Sequence, residues 1–320
     1  MNSVSTDIGQ AVALLNNEDV VAIPTETVYG LAGNIYSDKA IRSIFEKKQR
    51  PFFNPLIVHI HSVMQIHDIV SEFPEKAQKL AAAFWPGSLT LVLKKQPKVP
   101  DLITAGKDTV AVRVPNHPVT LELLRQLSFP LAAPSANPFG SISPTQSSHV
   151  AKYFGDNLSM VLEGGACQRG IESTIVGFEQ NQPIVYRLGS ISIEDIQAVI
   201  GHVEIKNNKQ TAPSAPGMLS RHYAPETKTY LVDHASAFIG DFTDQKIGLL
   251  SFTNNYSDLG VEVIKVLSNQ GDLSEAAAKL YSTLHELDQL NLDMIVAERF
   301  PDIGLGQSIN DRLKRATKNT

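Results

Sequence analysis

The chain has one cysteine, Cys167, among its 320 residues. No disulfide can form within it, nor can a zinc site built on several cysteines. Such sparing use fits a reducing compartment such as the cytosol. No apolar run approaches the roughly 18 residues expected of a membrane-spanning helix. The stretch from Met1 to Asp19 carries Asp7, Glu18 and Asp19 and lacks a basic start followed by an apolar segment, so no secretory leader is expected and a cytoplasmic protein is. An excess of positive charge is also missing: 28 Lys and Arg against 33 Asp and Glu leave a formal charge of −5. Coating nucleic acid by bulk electrostatics is therefore not its main role, although a local basic patch and an RNA contact stay open. Familiar nucleotide and nucleophile motifs fail as well. Ala105-Gly106-Lys107-Asp108 offers the Gly-Lys of a P-loop, but Asp101 stands where the first glycine belongs and Asp108 replaces the hydroxyl residue. Gly304-Leu305-Gly306-Gln307-Ser308-Ile309 lacks the last glycine of a dinucleotide fingerprint and reads as a tight turn into a helix. There is no His-Glu-x-x-His metal motif and no Gly-x-Ser-x-Gly elbow.

What is present is an ordinary globular composition, 42% hydrophobic and 19% charged, at a length that suggests two domains. Strand-like runs at 19–23, 55–61, 88–93, 109–115, 130–133, 160–163, 173–178 and 184–188 alternate with helical stretches at 37–48, 75–84 and 118–127. Ser37 is a plausible N-cap for the first of these helices. From 201 to 226 the pattern stops: 206–210 is polar, and Ala212-Pro213-Ser214-Ala215-Pro216-Gly217 can form neither helix nor central strand. Strands then resume at 229–232, 246–252, 261–266 and 293–297, with helices at 273–287 and 307–316. The expectation is an α/β protein with a sheet-and-helix domain over 1–200, a linker over 201–226, and a small parallel-sheet domain over 227–320.

Residues able to carry chemistry gather at predicted strand ends. Pro24 ends a strand, leaving Thr25, Thr27 and Tyr29 either to meet a ligand or to satisfy their own turn. Lys47 and Lys48 close a helix, where its dipole favours cations. Arg50 follows in a proline-bounded loop, where a guanidinium can meet a phosphate with two hydrogen bonds. In Thr109-Val110-Ala111-Val112-Arg113-Val114 the valines share one face while Thr109, Ala111 and Arg113 share the other, so Arg113 faces either a ligand or solvent. His59 and His61 share a face of their own strand; hydrogen bonding is favoured over a metal pair, since no third ligand matches. Ser135 and Asn137 lie between prolines, Gly164-Gly165 and Gly170 permit close backbone approach before Glu172-Ser173-Thr174, and Arg187 ends another strand. Three arginines, several hydroxyls and few acids suit an anionic ligand such as a nucleotide.

Taken in order, Thr25-Glu26-Thr27-Val28-Tyr29-Gly30, Lys48-x-Arg50-Pro51, Ser135-x-Asn137 and Glu172-Ser173-Thr174-Ile175 resemble the signature segments of the YrdC domain. Ala215-Pro216-Gly217-Met218 with Arg221-His222-Tyr223-Ala224-Pro225 is similar to the linker of the two-domain, Sua-type threonylcarbamoyl-AMP synthases, and Ile309-Asn310-Asp311-Arg312-Leu313 resembles their C-terminal domain. Ser88, Phe139, Leu188 and Ala215 depart from the common pattern without removing a ligand-holding side chain. The resemblance implies a twisted YrdC-type α/β sheet domain with a basic concave face, plus a smaller Rossmann-like parallel α/β domain. It implies L-threonine held by Thr27, His59, Arg113, Ala133 and Ser173. Arg50, Asn54, Thr109, Ser135, Ser143, Arg187 and His222 or Tyr223 would surround ATP, with Lys48, Arg50 and Arg113 carrying catalysis.

The implied reaction joins L-threonine, bicarbonate and ATP, with Mg2+ arriving on the nucleotide rather than in a protein metal site. Its product, threonylcarbamoyl-AMP, would pass to a tRNA threonylcarbamoyl transferase complex that places the mark at position 37 of tRNAs. Attack of a carbamate on the α-phosphorus needs no enzyme nucleophile, in keeping with the missing Ser-His and Cys-His signatures. The linker would serve as a lid that keeps water from the carbamate. Two rival readings remain: a double-stranded RNA-binding module without turnover, and an O-carbamoyl transferase of hydrogenase maturation, whose zinc-finger cysteines are lacking here.

Overall fold

A computed structural model describes residues 3–206, 223–242 and 244–317. Its larger sheet is formed by β1 (Ser3–Ser5), β2 (Val21–Ile23), β3 (Gly30–Asn34), β4 (Ile57–His59), β5 (Leu89–Lys94), β6 (Thr109–Arg113), β7 (Leu131–Ala132), β8 (Met160–Leu162), β9 (Thr174–Glu179), β10 (Gln182–Arg187) and β11 (Glu204–Ile205). Across the sheet they run β1-β8-β2-β3-β7-β4-β6-β5-β9-β10-β11. Parallel and antiparallel neighbours mix: β4 runs parallel to β6 and β5 to β9, whereas β5–β6 and β9–β10 are antiparallel. A second sheet of β12 (Thr229–Val232), β13 (Ile247–Ser251), β14 (Val263–Val266) and β15 (Met294–Glu298) is ordered β12-β15-β13-β14, and all three pairings are parallel. The expected α/β architecture, with a smaller parallel-sheet unit, is the one observed.

Helix Asp38–Lys48 shows how the sequence specifies its elements. The Ser37 hydroxyl accepts from the Ala40 amide, as an N-cap should, and Lys47 and Lys48 close the last turn. Ala40, Ile41, Ile44 and Phe45 form its buried stripe. On β6, Val110 and Val112 join the main apolar core, as does Val114 just beyond it, while Ala111 belongs to a separate cluster on the opposite face, as alternation requires.

Several elements lay outside the sequence expectation. β3, Gly-Leu-Ala-Gly-Asn, carries no β-branched residue, and its two glycines lie close against their neighbours. A Cβ on Gly33 would come within 3.2 Å of both Ala40 and Ile44 side chains, and one on Gly30 within 3.1 Å of Ala133. Helix Ile8–Asn16 is capped by Asp7, and helix Ile193–Ile200 by a reciprocal Ser192–Asp195 capping box. Helix Ser147–Phe154 has no side-chain cap to announce it. Within the expected linker, β11 pairs with β10, and 207–222 lies outside the described residues.

The two sheets share a core. Val28, Ile142 and Ile171, from around the larger sheet, pack in one apolar cluster with Leu280, Leu284 and Ile309 of helices Leu273–Leu287 and Leu305–Ala316. At Gly170, with φ +68°, a Cβ would lie 2.3 Å from the Ala278 carbonyl oxygen and 2.5 Å from the Ala278 Cα. Only glycine fits the conformation and the gap. Gly170→Ala is therefore expected to lower unfolding free energy by roughly 1–3 kcal/mol in urea titrations. An unchanged midpoint and slope would contradict this close approach.

Candidate functional site

The strands of the larger sheet bring a polar row and an apolar row onto one face. His59 stands opposite Arg113 across β4–β6, and Ile175 stands opposite both Thr90 on β5 and Arg187 on β10. Two residues along each strand, and three along β10 where a bulge intervenes, Ile57, Ala111, Val92, Gly177 and Ile184 align as an apolar floor. The polar row ends in an open cleft of about 570 Å³, solvent at its mouth included, which Thr25, Thr27, Gly30, Ala133 and Ser135 also border.

Three guanidinium groups reach this cleft, and all are buried. Arg113 pairs with Glu26 at 2.7 Å, donates to the Thr27 hydroxyl at 3.0 Å and to the Gly87 carbonyl at 3.1 Å. Glu26 also accepts from the Asn116 amide at 3.0 Å. Arg187 donates to the Ser173 carbonyl at 2.8 and 3.1 Å and to its hydroxyl at 3.0 Å, and that hydroxyl shares a 2.7 Å hydrogen bond with Thr90. Arg50 is held by the Asn54 and Pro55 carbonyls at 3.2 and 2.9 Å. Burial, with a smaller contribution from the Arg187 charge, pulls Arg50 down to about 9, so an arriving anion relieves an unfavourable charge. Burial and the neighbouring Arg113 push His59 down to about 3, which keeps it neutral, and its Nδ1 lies 3.2 Å from the Ile57 carbonyl.

Of the residues expected to hold threonine, Thr27, His59, Arg113, Ala133 and Ser173 all line the cleft. Arg50, Ser135, Arg187 and Tyr223, expected around the nucleotide, line it too. Four others stand elsewhere. Lys48 is buried behind the wall and donates to the Ser135 and Asn137 carbonyls, each at 2.5 Å. Its charge is thus directed at the loop that presents Ser135, not at the cleft, and burial lowers its pKa well below the usual lysine value. Asn54 is fully buried, and its side-chain amide meets no hydrogen-bond partner among the described residues. Thr109 occupies the other end of β6, roughly 13 Å from Arg113 at strand rise, beside Lys107, Phe178 and Tyr186. Ser143 lies behind Glu172 and donates to it at 2.7 Å. His222 falls outside the described residues.

Acids are few here: Glu172 lines the cleft, and Glu26 is buried beside Arg113. Burial opposes the charge of Glu172, yet Arg312, Arg187 and the Ser143 hydroxyl hold its carboxyl down to about 2. Sequence reasoning assigned these acids no partner, and it missed Arg312 and Tyr281, which reach Glu172 from the second sheet's helices. No local pattern marks contacts across such sequence distances. Among the described residues, no group of three or more His, Cys, Asp and Glu could hold a metal ion, and no helix is long and apolar enough to cross a membrane.

An arginine- and hydroxyl-lined cleft over a mixed sheet, backed by a second α/β unit, defines a two-domain α/β protein. The family model for Sua5, YciO and YrdC proteins, described as "Telomere recombination", matches residues 13–189, and that of the threonylcarbamoyl-AMP synthase C-terminal domain matches 191–317. The threonylcarbamoyl-AMP synthase of Bacillus subtilis is 38% identical, with 97% of this chain and 92% of that protein covered. Its namesake in Pyrococcus abyssi is also 38% identical, over 96% and 93%. The crystal structure of P. abyssi Sua5 complexed with L-threonine superimposes with a TM-score of 0.91 at 37% identity, covering 97% of this chain and 94% of that one. The chain belongs to the threonylcarbamoyl-AMP synthase family, in its two-domain form.

The buried neutral histidines set an acid limit. His59 and His285 are both pushed down to about 3, chiefly by burial, with Arg113 and His149 respectively adding to it. An unfolded histidine titrates near 6.5, so the unfolded chain binds more protons below that pH. Stability is full above about pH 6.5 and falls as pH drops towards 3. By pH 5 the loss for His59 alone is about 2 kcal/mol. Urea titrations at pH 7 and 5 should show the difference, and His285→Gln should narrow it. Equal stability at both pH values would rule out neutral burial of these rings.

Proposed function

We propose that the cleft seats L-threonine beside the triphosphate of ATP and that the chain joins threonine, bicarbonate and ATP into threonylcarbamoyl-AMP, releasing pyrophosphate. The observation that carries this reading is the polar row itself. It sets Arg113, with its adjoining hydroxyls, beside Arg187 and Arg50 in one cleft. An arginine has five N–H groups; on Arg113 one donates to Thr27 and one to Gly87, while Nη2 meets Glu26 as an ion pair outside hydrogen-bond geometry, so donors remain for a carboxylate. In this reading Arg113 takes the threonine carboxylate, while Thr27 and Ser173 take its polar groups. Neutral His59 and Ala133 bound the small side chain.

Arg50 and Arg187 are assigned to the phosphates, with Ser135 and Tyr223 around the nucleotide. Lys48 contributes by fixing the Ser135–Asn137 loop rather than by touching phosphate. The threonine amine and bicarbonate give a carbamate with loss of water. One carbamate oxygen then forms a bond to the α-phosphorus as the bond to pyrophosphate breaks. Catalysis consists of alignment and charge stabilisation by groups already in place. With the nucleotide phosphates as its ligands, Mg2+ would neutralise part of their charge. The adenylate is then a substrate for a transferase that modifies position 37 of tRNA, work placed in the cytoplasm.

Pyrophosphate release, measured with each of the twenty amino acids with and without bicarbonate, tests the reading. Turnover is expected only with threonine and bicarbonate together; release with neither would defeat it. Hydrogen bonds to a charged group contribute about 1.5–3 kcal/mol, so Arg113→Ala should lower kcat/KM for threonine roughly 10- to 150-fold. Wild-type kcat/KM in that variant would remove Arg113 from the threonine site.

A further inference from the structure

Glu172 is the point where the second domain touches the cleft. It lines the wall immediately before Ser173 and is buried. Its carboxylate accepts from Ser143 at 2.7 Å, from the Tyr281 hydroxyl at 3.0 and 3.1 Å, and from Arg312 Nε at 2.9 Å. Arg312 is buried too, and it also donates to the Leu188 carbonyl at 2.6 Å and to Asp311 at 2.8 Å. One guanidinium thus holds both the residue before Ser173 and the residue after Arg187. Its plane lies over the Tyr223 ring, 5.1 Å from the centroid.

We propose that Arg312 is a positioning residue for the nucleotide: by neutralising Glu172 from behind the wall, it leaves Arg187 aligned on Ser173 and facing the incoming phosphates. The inference rests on the functional reading above and deepens it. A buried carboxylate that loses its counterion draws on the next cation available. Here that cation is Arg187, whose charge already acts on Glu172. Without Arg312, the pull of Glu172 withdraws Arg187 from the phosphate site, and an uncompensated anion in the wall repels phosphate directly. Arg113 is insulated from this exchange because Glu26 is its own counterion. The defect therefore falls on the nucleotide and spares threonine.

Titration calorimetry with α,β-methylene-ATP, together with KM values for ATP and threonine, tests the proposal on the full chain. Arg312→Met should weaken analogue binding at least tenfold and raise the KM for ATP in parallel, with the KM for threonine changed less than threefold. Arg312→Met combined with Glu172→Gln, which removes the charge needing compensation, should regain most of that affinity. Arg312→Lys keeps the charge and should lose less than threefold, which decides the matter even if Arg312→Met does not fold. A double variant no better than Arg312→Met, equal rises in both KM values, or a tenfold loss in Arg312→Lys would overturn the proposal. Analogue affinity needs no turnover, so a wild-type chain that binds the analogue but releases no pyrophosphate counts against the functional reading alone.

Discussion

A guanidinium can leave water only where other groups answer its charge and its five donors, and the cleft is organised by how this is done for its arginines. Arg113 is answered by a carboxylate, Glu26. Arg50 is answered by backbone carbonyls, and Arg187 by the Ser173 carbonyl and hydroxyl with Glu172 adding an opposite charge nearby. That difference divides the site. An arginine paired with its own carboxylate suits a zwitterion such as an amino acid, whereas Arg50, held by carbonyls, keeps its attraction for an anion. The same principle explains why an anion-binding cleft has a carboxylate in its wall. Glu172 arrives already matched by Arg312, so it contributes shape and hydrogen bonds rather than net repulsion.

Strand register converts this electrostatic plan into position. Because β4, β5, β6, β9 and β10 are held in fixed alignment, His59, Arg113, Thr90 and Arg187 emerge at one level and the apolar floor lies one pleat away. A slip of one residue in β6 would turn Arg113 into the core and a valine into the cleft. The core valines thus fix the direction in which the arginine points.

Much of this was legible in the sequence where the signal was periodic. The alternation in 109–114 placed Arg113 on the face opposite the valines, and the capping pattern at Ser37 located a helix start. The proline- and glycine-bounded segments marked the loops that converge on the cleft. What escaped was set by contacts rather than by local pattern. β3 is a strand through its pairing with β2 and β7, and with glycine at two of its five positions its composition reads as loop. Thr109 and Arg113 share a strand face, yet sharing a face does not bring two residues to the same end. Lys48 looked available from its motif, but its burial commits it to two carbonyls. The matching of Glu172 by Arg312 spans 140 residues and could not be read from either segment.

That separation also sets a timetable for synthesis. Glu172 leaves the ribosome 140 residues ahead of the arginine that matches it. At about 5–20 residues per second the interval is roughly 7–28 s, long compared with the folding of a sheet domain. During that interval the nascent first domain carries an acid whose nearest cation is Arg187, so its wall lacks the arginine that matches it in the finished chain. The cleft is thus completed late in translation, and a ribosome that stalls before Arg312 leaves it unfinished.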